Sequence, residues 1–274
     1  ATNYNATANT DDGTCCYSTT STTNITTCDS SYAWNDSTYN QSGTYSYSGD
    51  STSNYSLDFS TCSSSNTPEV NFGDVLDMPG SFSVGGWIYN DGCYSTILSK
   101  REYNGGVYNG FHIGIDAVAG NQAFIFNLQD LVPGPGEMTS IPAIINQWVH
   151  IVGVFDAGNS LSIYINGQLA NSQSTSLLGL SDNNSPFLIG SLQTPGIWSW
   201  NGKLDEIFIY DKALSGSEIN SIYNCNLPLN NLQGYWNFEE GSGTTAYDQT
   251  SNGNNGTIDG ATYDTNVPSQ SCSL

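Results

Sequence analysis

The chain predicts an all-β fold, an antiparallel β-sandwich, and three observations between Trp148 and Asn224 carry the prediction. Runs such as WVHIVGVFD, LSIYI and GKLDEIFIY alternate with a period of two. Val149, Ile151, Gly153 and Phe155 share one strand face, and Leu161, Ile163 and Ile165 share another. Asn166-Gly167 marks a hairpin, because a two-residue turn of the right hand needs positive φ at both positions. The helical period surfaces only in one short amphipathic segment after these runs, near 216–223.

Taken in order, residues 1–53 are polar and nearly free of aliphatic side chains. Trp34, Tyr39, Tyr45 and Tyr47 are spaced by small polar residues, and Ser42-Gly43 is a hairpin signal. The segment reads as a small Cys-containing N-terminal β module, with a Ser/Thr linker as the alternative. Residues 54–224 hold the sandwich, with strands expected near 55–60, 82–89, 94–100, 110–116, 122–128, 148–156, 161–166, 186–191 and 203–210. PGPGE at 133–137 is expected to be a surface loop. Ser215 caps the helix with Glu218 at the capping-box position, and Leu214 and Ile219 fasten it to the sheet. Residues 225–274 carry GYWNFEEGSGTTAYDQTSNGNNGTIDGATY. This strand segment either completes its own sandwich, the preferred reading, or is donated to a neighbour.

Composition removes several function classes. Only 11% of residues are charged, yet the formal net charge is −21, with 4 Lys and Arg in all: Lys100, Arg101, Lys203 and Lys212. Neutralising a phosphate backbone is out of reach, so nucleic acid is excluded as a partner, and an anionic membrane surface is disfavoured. No apolar run is long enough to cross a bilayer as a helix, so direct membrane insertion is not expected. Cys15, Cys16, Cys28, Cys62, Cys93, Cys225 and Cys272 form no C-x-x-C pair, and His112 and His150 lie far apart in sequence, which argues against structural zinc. Disulfides in an oxidising exterior are the better reading, with Cys225 and Cys272 as one candidate pair. The acidic excess points to Ca2+ as the counter-ion, since carboxylate and carbonyl oxygens suit it.

The ordered set YSLDF, FSVGGWIY, QWVHIVGVFD, LSIYINGQ and NGKLDEIFIYDKALSGSEI resembles the laminin-G-like branch of the concanavalin A-like jelly-roll family. The resemblance implies a jelly-roll sandwich that presents a binding surface. It also implies that Trp200 is a buried structural aromatic and that Asp205 helps to hold a structural Ca2+. In that family the GYWNFEEG stretch precedes the first strand, whereas here it follows the last helix. ATNYNATANTDDGTC is similar to a short repeat of secreted marine bacterial proteins and phage fibres, and CDSSYAWNDSTYNQSGTYSYSG to a repeat of large Bacteroidetes surface proteins.

Asp205, Asp248 and Glu239 are the metal candidates. Asp205 opens a strand whose alternation is broken, as at a bulge, and Glu239, Glu240, Asp248 and QTSNGNNG offer short-spaced oxygen ligands around a turn. Backbone capping by the same carboxylates is the competing role. Asn9, Asp11, Asp12 and Gly13 form an incomplete Ca2+-loop rhythm and read as an Asx turn. Trp198 and Asn201 in QTPGIWSWNG, and Tyr103, Asn104 and Tyr108 in a Gly-rich loop, are the ligand-binding candidates. Aromatic faces with amides suit sugar rings; ordinary loop packing is the alternative. Trp87, Trp148 and Trp236 fall on strand patterns and are expected in the core.

No E-x-D-x-x-E strand of a laminarinase-type hydrolase and no G-x-S-x-G elbow occurs, and Glu239-Glu240 are adjacent, so on a strand they face opposite ways. The expected function is a non-catalytic extracellular adhesion module, Ca2+-stabilised and glycan-binding, on a secreted or cell-surface protein. Its partners are glycans or cell-surface polysaccharide, with neighbouring copies of itself as a further partner. The alternative is a structural fibre or filament subunit assembled by strand exchange; a glycoside hydrolase ranks below both.

Overall fold

The computed structural model describes residues 32–34, 37–39, 54–59, 68–93, 95–104, 107–132, 136–192 and 199–269. The chain divides into two compact units, Ala1–Asp50 and Ser51–Leu274. In the first, β1 (Tyr32–Trp34) and β2 (Ser37–Tyr39) form an antiparallel hairpin. The second unit runs through β3 (Ser56–Asp58), β4 (Glu69–Asn71), β5 (Phe82–Asn90), β6 (Ser95–Asn104), β7 (Val107–Val118), β8 (Asn121–Val132) and β9 (Glu137–Pro142). It continues with β10 (Trp148–Asp156), β11 (Ser160–Ile165), β12 (Gln168–Ser174), β13 (Phe187–Ile189), β14 (Gly202–Tyr210) and α1 (Gly216–Tyr223). The last strands are β15 (Leu232–Trp236), β16 (Thr245–Ala246), β17 (Gly256–Asp259) and β18 (Thr262–Asp264).

Two antiparallel sheets form the jelly-roll sandwich. The first is ordered β12-β11-β10-β5-β14-β3-β18 with β15 also on β14; the second is ordered β16-β17-β4-β13-β6-β7-β8-β9. The alternation read from sequence sets which side chains meet. Ile151 and Phe155 of β10 pair with Ile165 and Leu161 of β11 on the same face, and Val149 pairs with Ile88 of β5; all but the partly buried Ile165 are sealed in the core. Phe82 sits at the centre of that interior, its ring 4.6 Å from Phe111, 5.6 Å from Phe155 and 5.9 Å from Phe126. Asn166 (φ 49°) and Gly167 (φ 79°) turn the chain between β11 and β12, both in the left-handed region as the hairpin requires.

The helix lies on the outer face of the first sheet. Leu214, Ile219 and Ile222 pack there on Val152, Val154, Phe208, Tyr210, Leu232 and Tyr235. The Ser215 hydroxyl accepts from the Glu218 N–H at 3.3 Å and the Glu218 carboxylate accepts from the Ser215 N–H at 2.9 Å, closing the expected capping box.

The segment after the helix returns to both sheets: β15 pairs with β14, β17 with β4 and β18 with β3. It delivers Trp236, whose ring lies 4.6 Å from Phe72 and 5.8 Å from Phe187, together with the buried Phe238, Ala246 and Ile258.

Some expectations need correction. Glu137 opens β9 rather than ending a loop. Tyr103, Asn104 and Tyr108 stand on paired strand ends, Tyr103 opposite Tyr108 and Asn104 opposite Val107, not in a loop, because the alternation of β6 and β7 continues to the two glycines between them. Trp148 is half-buried at the rim, its ring 5.8 Å from Tyr89 and its indole N–H donating to Asn266 Oδ1 at 3.2 Å; it is the first residue of β10 and lies ahead of the core-facing positions. Trp87, Trp200 and Trp236 are buried. Asn9, Asp11, Asp12 and Gly13, along with the expected hairpin at Ser42-Gly43, lie outside the described residues.

Candidate functional site

Two clusters of polar side chains stand out, one on each sheet. The first is acidic and is created by a bulge. In β14 the pairing with β5 is interrupted between Asp205 and Phe208, and Glu206 takes φ 55°. Asp205 and Glu206 are both buried as a result. Asp205 Oδ1 accepts from the Glu206 N–H at 2.8 Å, while Oδ2 is buried without a hydrogen-bond partner. Burial pushes the Asp205 carboxyl well above the ordinary range, and the charges of Glu206 and Glu239 push it further. The Tyr235 hydroxyl donates to Glu206. Glu239 is half-buried and raised to about 7, chiefly by desolvation, with a backbone hydrogen bond to Tyr55 opposing and the Glu240 charge adding to the rise.

The sequence candidates therefore separate. Asp205 and Glu239 share one electrostatic environment. Asp248 is occupied elsewhere. Its Oδ1 accepts from the N–H groups of Tyr235 (3.1 Å) and Thr250 (2.9 Å), and its Oδ2 from Thr250 Oγ1 and the Asn254 N–H, both at 2.9 Å. Four donors on one carboxylate hold the 248–254 turn against β15. Glu240 is likewise engaged, by the Tyr247 N–H at 2.8 Å and the Tyr263 hydroxyl at 3.3 Å.

Ca2+ takes about six to eight oxygens, carbonyls and water among them. The orphaned Asp205 oxygen and the neighbouring Glu206 and Glu239 fit a hard cation in chemical type. Among the described residues no three acidic, histidine or cysteine side chains converge into a ready cage, so backbone carbonyls and water would have to complete any shell. Sequence reasoning named neither Glu206 nor Tyr235 as a site residue; the broken alternation in KLDEIFIY was the signal that could have singled out Glu206.

The second cluster lies on the face of the second sheet turned away from the core. Ser99 and His112 are register partners, as are Arg101 and Gly110; across the next strand His112 faces Asn127 and Gly110 faces Gln129. Arg101 and Gln129 flank Gly110 on either side in the register, and the Arg101 guanidinium donates to Gln129 Oε1. Arg101 Cζ lies 3.9 Å from the Tyr108 ring centroid, a cation–π distance, and its NH1 is 3.4 Å from His112 Nδ1. Its Nε is buried with no hydrogen-bond partner. His112 is pushed down to about 3, by burial first and the Arg101 charge second, so its ring is neutral.

Ser99 Oγ donates to the carbonyls of Ser191 (2.8 Å) and Leu192 (3.2 Å), which ties those two residues to this same face. Trp198 itself lies outside the described residues, as do the side chains of Tyr103 and Asn104. Asn201 is buried, its amide 3.6 Å from Cys93 Sγ. The fold thus brings Tyr108, the 103–104 strand end and the backbone of Ser191 and Leu192 to the second sheet, and directs Asn201 inward. Arg101, His112 and Gln129 were missed in sequence, although the period-two reading of SKREY and GFHIG places Arg101 and His112 opposite the core-facing residues.

His150 is buried, pushed down to about 3 by desolvation, and its Nδ1 has no partner. Cys93 and Cys225 each take part in a disulfide; the other cysteines, Cys272 included, lie outside the described residues. No helix is long and apolar enough to cross a membrane among the described residues.

Residues 59–220 match the Laminin_G_3 family of the concanavalin A-like lectin/glucanase superfamily, and the chain belongs to it. Among solved structures it is similar to a candidate carbohydrate-binding protein from Bacteroides ovatus, at 20% identity and TM-score 0.59, over 80% of this chain and 61% of that one. It is also similar to a heptameric SAP-like pentraxin from Limulus polyphemus, at 17% identity and TM-score 0.55, over 81% of this chain and 98% of that one. At these identities the likeness establishes the fold. A botulinum-like toxin of an Enterococcus strain is 26% identical over 129 residues, which is 44% of this chain but 9% of the toxin.

Proposed function

We propose that the chain is a non-catalytic extracellular adhesion module that binds glycans on the outer face of its second sheet. The observation that carries this reading is the half-buried pair Tyr108 and Arg101, backed by the buried His112 and Gln129 on the outer face of the second sheet, in a concanavalin A-like chain. Aromatic faces contact the C–H faces of sugar rings, and amides and carbonyls pair with their hydroxyls. The neutral, buried histidines and the missing hydrolase motif favour binding over catalysis.

Ca2+ forms part of the proposal, with Asp205 and Glu239 as the carboxylates that would hold it; Asp248 would brace the adjoining turn. Bound there, the ion would neutralise a buried negative cluster. Extracellular placement and disulfides accord with the sparse cations and polar composition.

Glycan-array binding in Ca2+ and in EDTA tests the reading, with Trp198→Ala alongside. Binding that Trp198→Ala abolishes without lowering the melting temperature supports it. If no sugar binds and the chain self-associates, the fibre-subunit reading replaces it.

A further inference from the structure

The four cationic side chains are not equivalent. Lys100 is paired with Asp74 at 2.9 Å and Asp77 at 3.0 Å, Lys203 with Asp58 and Asp264, and Lys212 with Glu218. Arg101 alone has no carboxylate partner among the described residues, in a chain of net charge −21. With 25 acidic residues in the chain, a counter-ion would have been easy to supply. What surrounds the guanidinium instead is neutral: the Tyr108 ring, the Gln129 amide and the uncharged His112 imidazole. These groups fix its plane without consuming its charge, and Nε stays unpartnered. Gly110, the register partner of Arg101, has φ 119°, and a Cβ there would lie 2.0 Å from the Lys100 carbonyl oxygen, so no side chain can stand at that position of the face.

A half-buried, oriented guanidinium without a carboxylate is a receptor for a planar or tetrahedral oxyanion. We propose that Arg101 makes this face selective for anionic saccharides, sugars carrying a carboxylate or a sulfate, with Gln129 and Tyr108 holding the guanidinium in place for that group. The inference rests on the glycan-binding reading and adds the chemical class of the ligand. The net negative charge of the chain adds a condition. Long-range repulsion opposes an anionic ligand at low salt and is screened as ionic strength rises, so binding should strengthen from low to moderate salt, whereas an ordinary basic site weakens.

The test is calorimetric titration of the whole chain with three pairs of probes: oligogalacturonide and its methyl ester, a sulfated galactan oligosaccharide and its desulfated form, and neutral galactan with and without added salt. The first two pairs differ only in the charged group, and they separate carboxylate from sulfate recognition. Preference for either charged form by about tenfold or more over its neutral counterpart supports the proposal, as does its loss in Arg101→Gln, since hydrogen bonds to charged groups are worth about that factor. Arg101→Lys should recover only part of the affinity, because the planar fork is lost. If Arg101→Gln fails to fold, the wild-type comparison still decides. Equal binding of charged and neutral sugars overturns the selectivity and leaves the glycan reading standing; binding of no sugar, neutral galactan included, overturns both.

Discussion

Asp205 and Glu239 set a pH dependence whose sign follows from their burial. Both carboxyls titrate higher in the folded chain than in the unfolded one, Glu239 at about 7. The folded state therefore holds extra protons between the unfolded carboxylate range and about pH 7, and stability is full below that window and falls as pH rises through it. In EDTA, melting scans across the window should show a higher midpoint at about pH 5 than at about pH 8, and Glu239→Gln should flatten the step near 7. A midpoint that rises over this interval would contradict the buried placement. Asp205→Asn gives a second check. The amide oxygen still accepts from the Glu206 N–H, and the buried charge is gone, so the variant should melt no lower than the parent in EDTA. Under the Ca2+ proposal, the stability that the ion would add, about 2.7 kcal/mol at 100 times the dissociation constant, should disappear. A Ca2+ shift of the same size in both proteins would remove Asp205 from the ligands.

At the scale of elements, the helix shows how local chemistry and packing divide the work. An isolated eight-residue helix is not stable in water, and α1 persists because Ile219 and Ile222 are buried on Phe208, Val152 and Tyr235. The capping box fixes where it begins. Ser215→Ala should cost about 1 kcal/mol in denaturant titration while leaving the fold intact; a cost near zero would mean that packing alone sets the start. The strands divide in a similar way. β5, β10, β11 and β14 announce themselves by alternation. β4, at three residues, and β12, whose side chains are nearly all exposed, carry no such pattern and exist because a neighbouring strand supplies the hydrogen bonds. The outer-face cluster follows the same logic. The period-two rule indicates that Arg101 points away from the interior, but only the pairing of β6, β7 and β8 places it over Tyr108 and beside Gln129.

At the scale of the whole molecule, the segment after α1 is structural. It supplies β15, β17 and β18 and buries Trp236 and Phe238 in the main core. Losing one such aromatic costs about 3–5 kcal/mol, against a total stability of about 5–15 kcal/mol for a domain. A chain ended at residue 231 should thus lose its cooperative thermal transition, read by circular dichroism, and should elute as aggregate on size exclusion, because β14, β3 and β4 are left with open edges. A soluble product with a sharp transition would show that the segment is dispensable.

Sequence alone determined the sandwich, its central strands, the Asn166-Gly167 turn, the capped helix and the bulge at Asp205, because each is written in spacing among near neighbours. Its composition, so poor in cations, argued against nucleic acid as a partner. Tertiary structure decided what depends on residues far apart in the chain: that Glu239, not Asp248, shares the charge environment of Asp205, that Asn201 turns inward, and that Arg101 alone among the cations keeps no carboxylate among the described residues. Period and turn chemistry act over a few residues, whereas a charge environment is the sum of everything that folding brings near.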